Sequence, residues 1–421
     1  MTRKMKDSGI EWIGEIPEDW QTIRVKNLFD VSRGRVISKL EITDDGKYPV
    51  YSSQTENDGI FGYIDTFDYS GEALTWTTDG EKAGTVFYRN GKYNCTNICG
   101  ILQKKQDSIY KTDIKYLFYA IRMVAEENKR PDTNGHKIMS NEMERLSIPI
   151  TNYDEQVKIG LTLDEKSRNI DNTLNLIKEE IESLENYKKS VITEAVTKGL
   201  DKNVEMKDSG IEWIGEIPKH WNMLRIKNLG ICRNGLTYSP SDTCDEKDGT
   251  LVLRSSNVQN GKIVLNNNVY VKKRIPDYLM VKNGDILICS RNGSKELIGK
   301  NAIINNIDAT FGAFMMIYRS KNPKLMYYVL NSNIFQYYLG TFFTSTINQL
   351  TNSNFENMKI VWCDDINEQD QLVDYLDKKT KLIDDSIATK QKQLETLEEY
   401  KKSLIYEYVT GKKEVKDGEE T

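Results

Sequence analysis

Residues 5–17 read MKDSGIEWIGEIP, and the same thirteen letters return at residues 206–218, an offset of 201 in a chain of 421 residues. An unbroken repeat of this kind commits the fold to internal duplication: whatever surface the stretch builds once, it builds twice. The chain diverges strongly after each copy, so duplication accounts for the origin of the pair but not for its retention. The pattern predicts two equivalent surfaces that carry two different variable regions.

A second repeat is longer and less strict. Residues 154–199 align without gaps, at an offset of 213, with residues 367–412. Glu155-Gln156 matches Glu368-Gln369, and Tyr187-Lys188-Lys189-Ser190 matches Tyr400-Lys401-Lys402-Ser403. Leu163, Ile170, Leu174, Ile177, Ile181 and Leu184 form an apolar seam in the first copy, continued by Val191 and Ala195. Leu376, Ile383, Ile387, Leu394, Leu397 and Leu404 form the corresponding seam in the second, continued by Tyr408. Lys, Glu, Asp and Gln fill the positions between, and no Pro interrupts either segment. Roughly five heptads of this spacing specify a coiled coil. Each helix has a seam that it cannot bury alone, and the long region between them permits an antiparallel pair. From Leu163 to Ala195 the helix spans about 50 Å at about 1.5 Å per residue.

The fold class that follows is α+β, with two mixed α/β domains separated by a long antiparallel two-helix coiled coil and related by pseudo-twofold duplication. The predicted segments are 1–153 (first variable domain with its leading repeat), 154–199 (first helix), 200–366 (second variable domain with its repeat), 367–412 (second helix) and 413–421 (polar tail, predicted to be disordered). Short β runs such as TVFY (85–88), DILICS (285–290) and NAIIN (301–305) alternate with turns. Helical stretches follow at 113–128 and 324–343.

The net charge of −5 does not exclude a nucleic-acid partner, because its distribution is uneven. Residues 154–185 carry −5 and residues 364–399 carry −6, which leaves the rest of the chain at +6. Residues 270–300 hold seven Lys/Arg against three Asp/Glu. Six scattered cysteines suit a reducing, cytoplasmic setting better than a disulfide framework. The longest apolar run, FGAFMMIY (311–318), is too short to cross a bilayer, so no membrane association is expected.

Catalytic motifs are missing. His136 and His220 lie away from any metal-spaced partners, and Cys95-x-x-x-Cys99 has no second pair, so no metal site is expected. Neither a phosphate loop nor a dinucleotide fingerprint is present. Asp164–Lys166 resembles a nuclease triplet but falls inside the helical repeat, where it reads as a solvated face. The chain is therefore expected to act by binding, without catalytic residues or a cofactor of its own.

The variable regions place DNA-reading chemistry at matching positions. Residues 74–88 give a strand, a turn with Gly80-x-Lys82, and a strand; residues 286–304 repeat this with Gly293-x-Lys295. The tip changes from Thr77-Thr78-Asp79 to Ser290-Arg291-Asn292, and Arg and Asn pair with guanine and adenine edges whereas Lys takes phosphate. An ordinary charged hairpin is the competing reading. Candidate DNA-contacting residues in the first domain are Ser52, Ser53, Gln54, Thr77, Thr78, Lys82, Arg89, His136 and Lys137. In the second they are Arg254, Ser255, Ser256, Asn257, Arg291, Asn292, Ser294, Lys295, Thr346, Asn348 and Gln349. The repeated Trp12, Trp20, Trp213 and Trp221 either pin the leading segment onto its own domain and the helices or anchor a partner; the internal role is favoured.

Taken in order, SGIEWIGEIPEDW and SGIEWIGEIPKHW, DEQVKI and NEQDQL, and YKKSVITEAVTKG and YKKSLIYEYVTGK resemble the specificity subunit of type I restriction–modification systems over nearly the whole chain. The resemblance implies two target-recognition domains, each reading one half of a bipartite, asymmetric sequence in double-stranded DNA. It implies two methyltransferase subunits docked on the repeated elements, with S-adenosylmethionine bound in those partners to methylate adenine. Motor-nuclease subunits would complete the complex. Two copies of one partner need two copies of one surface, whereas two half-sites need two readers. A 50 Å helix corresponds to about 15 base pairs at about 3.4 Å each.

Overall fold

The computed structural model describes residues 3–43, 45–133, 135–342 and 349–415. Two compact units divide the chain: Met1–Lys178 with Lys392–Thr421, and Glu179–Gln391. The division cuts through both long helices, so each unit takes one α/β region together with a stretch of each helix.

In the first unit an antiparallel sheet runs in the order Val86–Arg89, Ala73–Thr77, Cys99–Lys104, Phe29–Arg33. Ala73–Thr77 (ALTWT) is buried along its whole length, because both faces of the sheet are covered. Leu74 and Trp76 join the helix Ile114–Asn128 in one core, while Ala73 and Ile101 pack with Tyr93 and Cys95 of a second sheet. That second sheet pairs Lys92–Cys95 with Tyr48–Tyr51 in parallel.

The second unit repeats this frame with a different sequence. Its sheet runs Asn301–Ile303, Ile286–Cys289, Met315–Ser320, Gly230–Asn234, again antiparallel, and Thr250–Leu253 pairs with Ala309–Phe311 in parallel. One expectation changes here. The helical stretch at 324–343 is two helices, Pro323–Leu330 and Asn333–Phe342. The break at Asn331-Ser332 is held by polar groups: Asn331 Nδ2 donates to Asn301 Oδ1 (2.9 Å) and the buried Ser332 Oγ donates to Val329 O (2.6 Å). Such side chains compete with the helix ladder for backbone partners.

The repeated leading segment is built into each unit in the same way. Met5–Asp7 pairs with Glu15–Pro17, and Gln21–Arg24 then pairs with Ser147–Ile150, the strand before the first long helix, Tyr153–Lys198. In the second unit Met206–Asp208 pairs with Glu216–Pro218, and Asn222–Arg225 pairs with Lys359–Trp362 ahead of the second long helix, Ile366–Val409. Trp20 and Trp221 are both buried at 1% exposure, which settles their role as internal pins. Trp20 Nε1 donates to Glu155 Oε2 (3.1 Å) at the start of the first long helix. A Cβ on Gly411, just past the end of the second long helix, would sit 3.2 Å from the same indole and 2.5 Å from Pro17. Likewise, a Cβ on Gly199 would sit 3.3 Å from Trp221 and 3.7 Å from Glu368. Each tryptophan thus sits between the start of one long helix and the end of the other. Both glycines adopt positive φ (+73° and +69°), the left-handed helix stop that L-residues resist.

The Glu-Gln pair that opens each helix has an equally local cause. Gln156 is fully buried; its Oε1 accepts from Asp113 N (3.0 Å) and its Nε2 donates to Thr151 O (2.6 Å). Gln369 Nε2 donates to Cys363 O (2.6 Å), and its Oε1 accepts from Asn322 Nδ2 (2.9 Å). In both units the glutamine ties the long helix to the strand before it and to the start of a shorter helix.

Inside each unit the long helices run antiparallel. In the first, Lys401 Nζ meets Asp171 at 2.6 Å; in the second, Lys188 meets Asp384 at 2.6 Å and Lys390 pairs with Glu180. Leu163, Ile170, Leu174, Ile177, Leu376, Ile383 and Leu404 are buried as the seam requires. Ile181, Leu184, Ile387, Leu394 and Leu397 are only half-buried, because a two-helix pair covers one side of each seam where no α/β region adds a third layer. Asp164, in the nuclease-like triplet, accepts from Tyr119 Oη (3.0 Å) and pairs with Lys115 (2.7 Å).

Candidate nucleic-acid interface

The hairpin tip of the second unit opens into a cleft of about 1350 Å³. Its walls bring together Arg254, Ser255, Ser256, Arg291, Asn292 and Gln349, six residues scattered over the sequence, beside Tyr238 and Phe314. The backbone fixes this gathering. Ser290 N and Arg291 N both donate to Phe314 O (3.0 and 3.1 Å), and Leu350 N donates to Ser290 O (2.8 Å). An isolated antiparallel bridge joins Arg291 to Gln349. The exposed Arg291 guanidinium lies 5.2 Å from the Phe314 ring centroid, a cation–π contact that orients it.

Other candidates here serve the fold first. Asn292 Nδ2 donates to Ser255 Oγ (3.0 Å) and its Oδ1 accepts from Ser294 N (3.0 Å), so one donor and one acceptor are spent holding the tip. Asn257 is fully buried; its Oδ1 accepts from Arg254 N (2.9 Å) and its Nδ2 donates to Val264 O (3.0 Å), which removes it from the surface. Arg254 keeps one guanidinium nitrogen on Asn267 O (2.5 Å). Ser294 and Lys295 are exposed beyond the tip and do not line the cleft. Thr346 and Asn348 lie outside the described residues.

The first unit requires larger corrections. Thr77 and Thr78 are buried, with Thr77 Oγ1 donating to Lys82 O (2.6 Å) and Thr78 Oγ1 to Ile98 O (3.0 Å); they shape the turn from within. Arg89 is 3% exposed, held by Asp58 (2.7 Å) and Thr75 (3.0 Å), with its Cζ 3.5 Å from the Tyr51 ring centroid. It is an internal strut. Ser52 is buried and accepts from Thr96 Oγ1 (3.1 Å), Ser53 is half-buried, and Gln54 is exposed with its amide on Ile60 O. Lys82 is exposed but lines a different recess, with Trp12, Arg122 and Lys401.

His136 and Lys137 remain at the tip. Their strand Gly135–Lys137 pairs with Asp79–Gly80, His136 opposite Gly80 and Lys137 opposite Asp79. The loop before the long helix therefore meets the hairpin tip in both units, through strand pairing here and through the Arg291–Gln349 bridge in the second. Tyr238 and Phe314 were missed from sequence; Phe314 is 58% exposed inside the apolar run FGAFMMIY, so the run gave no sign of it.

The profile of the "Type I restriction modification DNA specificity domain" family matches residues 17–186 and again 218–397. The chain belongs to this family. Its two matches begin at the two Trp-bearing leading segments and extend into the two long helices. A Type I restriction enzyme MjaVIII specificity subunit from Methanocaldococcus jannaschii is 27% identical over 96% of this chain and 95% of its own length. A putative type I specificity subunit N-terminus from Mycoplasma pneumoniae is 44% identical over 145 residues, 34% of this chain and 76% of the relative. A solved chain from work on complex assembly and conformational transition of the type I R-M system shares the fold at TM-score 0.65 and 13% identity, covering 94% of this chain and 98% of that one. As a type I specificity subunit, the chain contains the family's DNA-recognition domain twice. Among the described residues, no helix is long and apolar enough to cross a membrane, and no cluster of three His, Cys, Asp or Glu could hold a metal.

Proposed function

We propose that each α/β unit reads one half of a bipartite, asymmetric target in double-stranded DNA. The observation that carries this reading is one backbone frame whose hairpin tip meets different side chains in the two units: His136 and Lys137 in the first, Arg291 and Gln349 in the second. A frame that persists while its tip varies is what two half-sites demand. In the second unit Arg291 and Gln349 supply base-edge chemistry, guanine for Arg and adenine for Gln. In the first unit His136 and Lys137 are the side chains left at the tip.

On this reading the paired helices set the spacing of the half-sites, and the repeated elements dock two methyltransferase subunits. Those partners bind S-adenosylmethionine and methylate adenine; motor-nuclease subunits join for cleavage. The chain itself contributes recognition and no catalytic group, and it works in the cytoplasm. The test is adenine methylation across the host genome with and without this gene. Disappearance of one bipartite motif supports the reading. An unchanged pattern in cells expressing the chain and intact partners sinks it.

A further inference from the structure

Beside the reading cleft of the second unit lies a basic recess, built in part from the Lys/Arg-rich run 270–300. It is formed by Lys247, Lys272, Lys273 and Arg274 around the Gly249–Thr250 turn, and it holds about 450 Å³. All four cationic side chains are exposed, and Asp248 is the one acidic residue that lines it. Lys273 approaches Asp242 at 3.9 Å, whereas Lys247, Lys272 and Arg274 have no carboxylate partner among the described residues. Four cations are therefore gathered here against Asp248 in the lining and Asp242 beside Lys273, which leaves the recess net positive.

The position gives this charge a use. The strand Val269–Val271 joins the two features: Val269 lines the reading cleft and Val271 lines the recess. Thr243, opposite Val271 in the sheet, and Thr237 also line the cleft. Lys273 Nζ donates to Thr237 O (3.3 Å), which ties the basic edge to the cleft wall. Base contacts specify a sequence, whereas cations beside them hold the backbone and set register.

We infer that Lys247, Lys272, Lys273 and Arg274 form a phosphate-binding ridge that seats the DNA backbone next to the half-site read by Arg291 and Gln349. The inference rests on the proposed DNA-reading function and extends it to residues that carry affinity rather than sequence. Each phosphate neutralised releases counterions, so log K falls with log salt by roughly 0.9 per contact.

The test compares the full chain, co-expressed with its methyltransferase partner, with the triple variant Lys272→Gln/Lys273→Gln/Arg274→Gln. Binding to duplexes with and without the methylated motif is titrated from low to physiological salt. The salt slope is expected to drop by roughly 2.7 for three lost contacts. Affinity should fall by the same factor on both duplexes, with the genomic motif unchanged. Triple replacement by the other basic residue (Lys272→Arg/Lys273→Arg/Arg274→Lys) should restore the slope, which a folding defect would not allow. An unchanged slope in the Gln variant, with wild type still salt-dependent, overturns the ridge and leaves the reading intact. A changed motif overturns it too, since the residues would then read bases. Tighter binding to anionic vesicles than to duplex DNA overturns it by naming another anion. Salt-independent behaviour of the wild type removes the DNA reading, and the ridge with it.

Discussion

Arg291 and Gln349 face each other across an isolated antiparallel bridge, and neither side chain has a hydrogen-bond or ionic partner among the described residues. Two long polar side chains are thus delivered together to one cleft with their pairing capacity intact. Replacing Arg291 with Ala should relax one base position of the methylated motif, and replacing Gln349 with Ala should relax another in the same half-site. Each loss is expected to cost about 1–3 kcal/mol of discrimination. Methylome sequencing of the two variants checks this, and relaxation in opposite halves would refute the pairing.

Arg89 should behave differently from Arg291. Its guanidinium is buried against Asp58 and Thr75, beneath the Tyr51 ring. Replacing Arg89 with Ala strips the buried Thr75 hydroxyl of its donor, while the exposed Asp58 carboxylate returns to water, so the first unit should lose about 1–3 kcal/mol. Denaturant unfolding measures the loss. Arg89→Lys should rescue little, because an ammonium cannot reproduce the planar fork.

Trp20 and Trp221 link helix starts to helix ends inside their own units. Trp20→Ala should cost about 3–5 kcal/mol as a buried large-to-small change. Gly199→Ala should destabilise by more than about 1 kcal/mol, since alanine is strained at φ +73° and would press on Trp221. Hydrogen exchange should localise each loss to the unit that holds the altered residue. A uniform loss would contradict the local pin.

Glu368 gives the second unit a pH dependence. Burial pushes its carboxyl up, but hydrogen bonds from Cys363 Sγ and His220 Nε2 (both 2.9 Å) outweigh burial and hold it below the usual value. A carboxyl depressed in the folded state favours folding at neutral pH, and that contribution is lost as pH falls below about 4.3 through the folded value. Unfolding followed against pH should show this decline, and Glu368→Gln should flatten it.

The architecture is legible in the chain before it folds. An unbroken repeat, a gapless helical repeat and seams at heptad spacing required duplication and a helix pair, because periodicity and identity are local properties of the chain. The sequence also placed the two hairpins, since strand and turn residues sit in order at 74–88 and 286–304. Which polar side chains face outward depends instead on packing between distant parts of the chain. Thr77, Thr78, Arg89 and Asn257 look like readers by residue type, yet each is buried and hydrogen-bonded within its own unit. Burial depends on what folds over a residue from far along the chain. For the same reason Phe314, within an apolar run, emerges at the surface as a wall of the reading cleft.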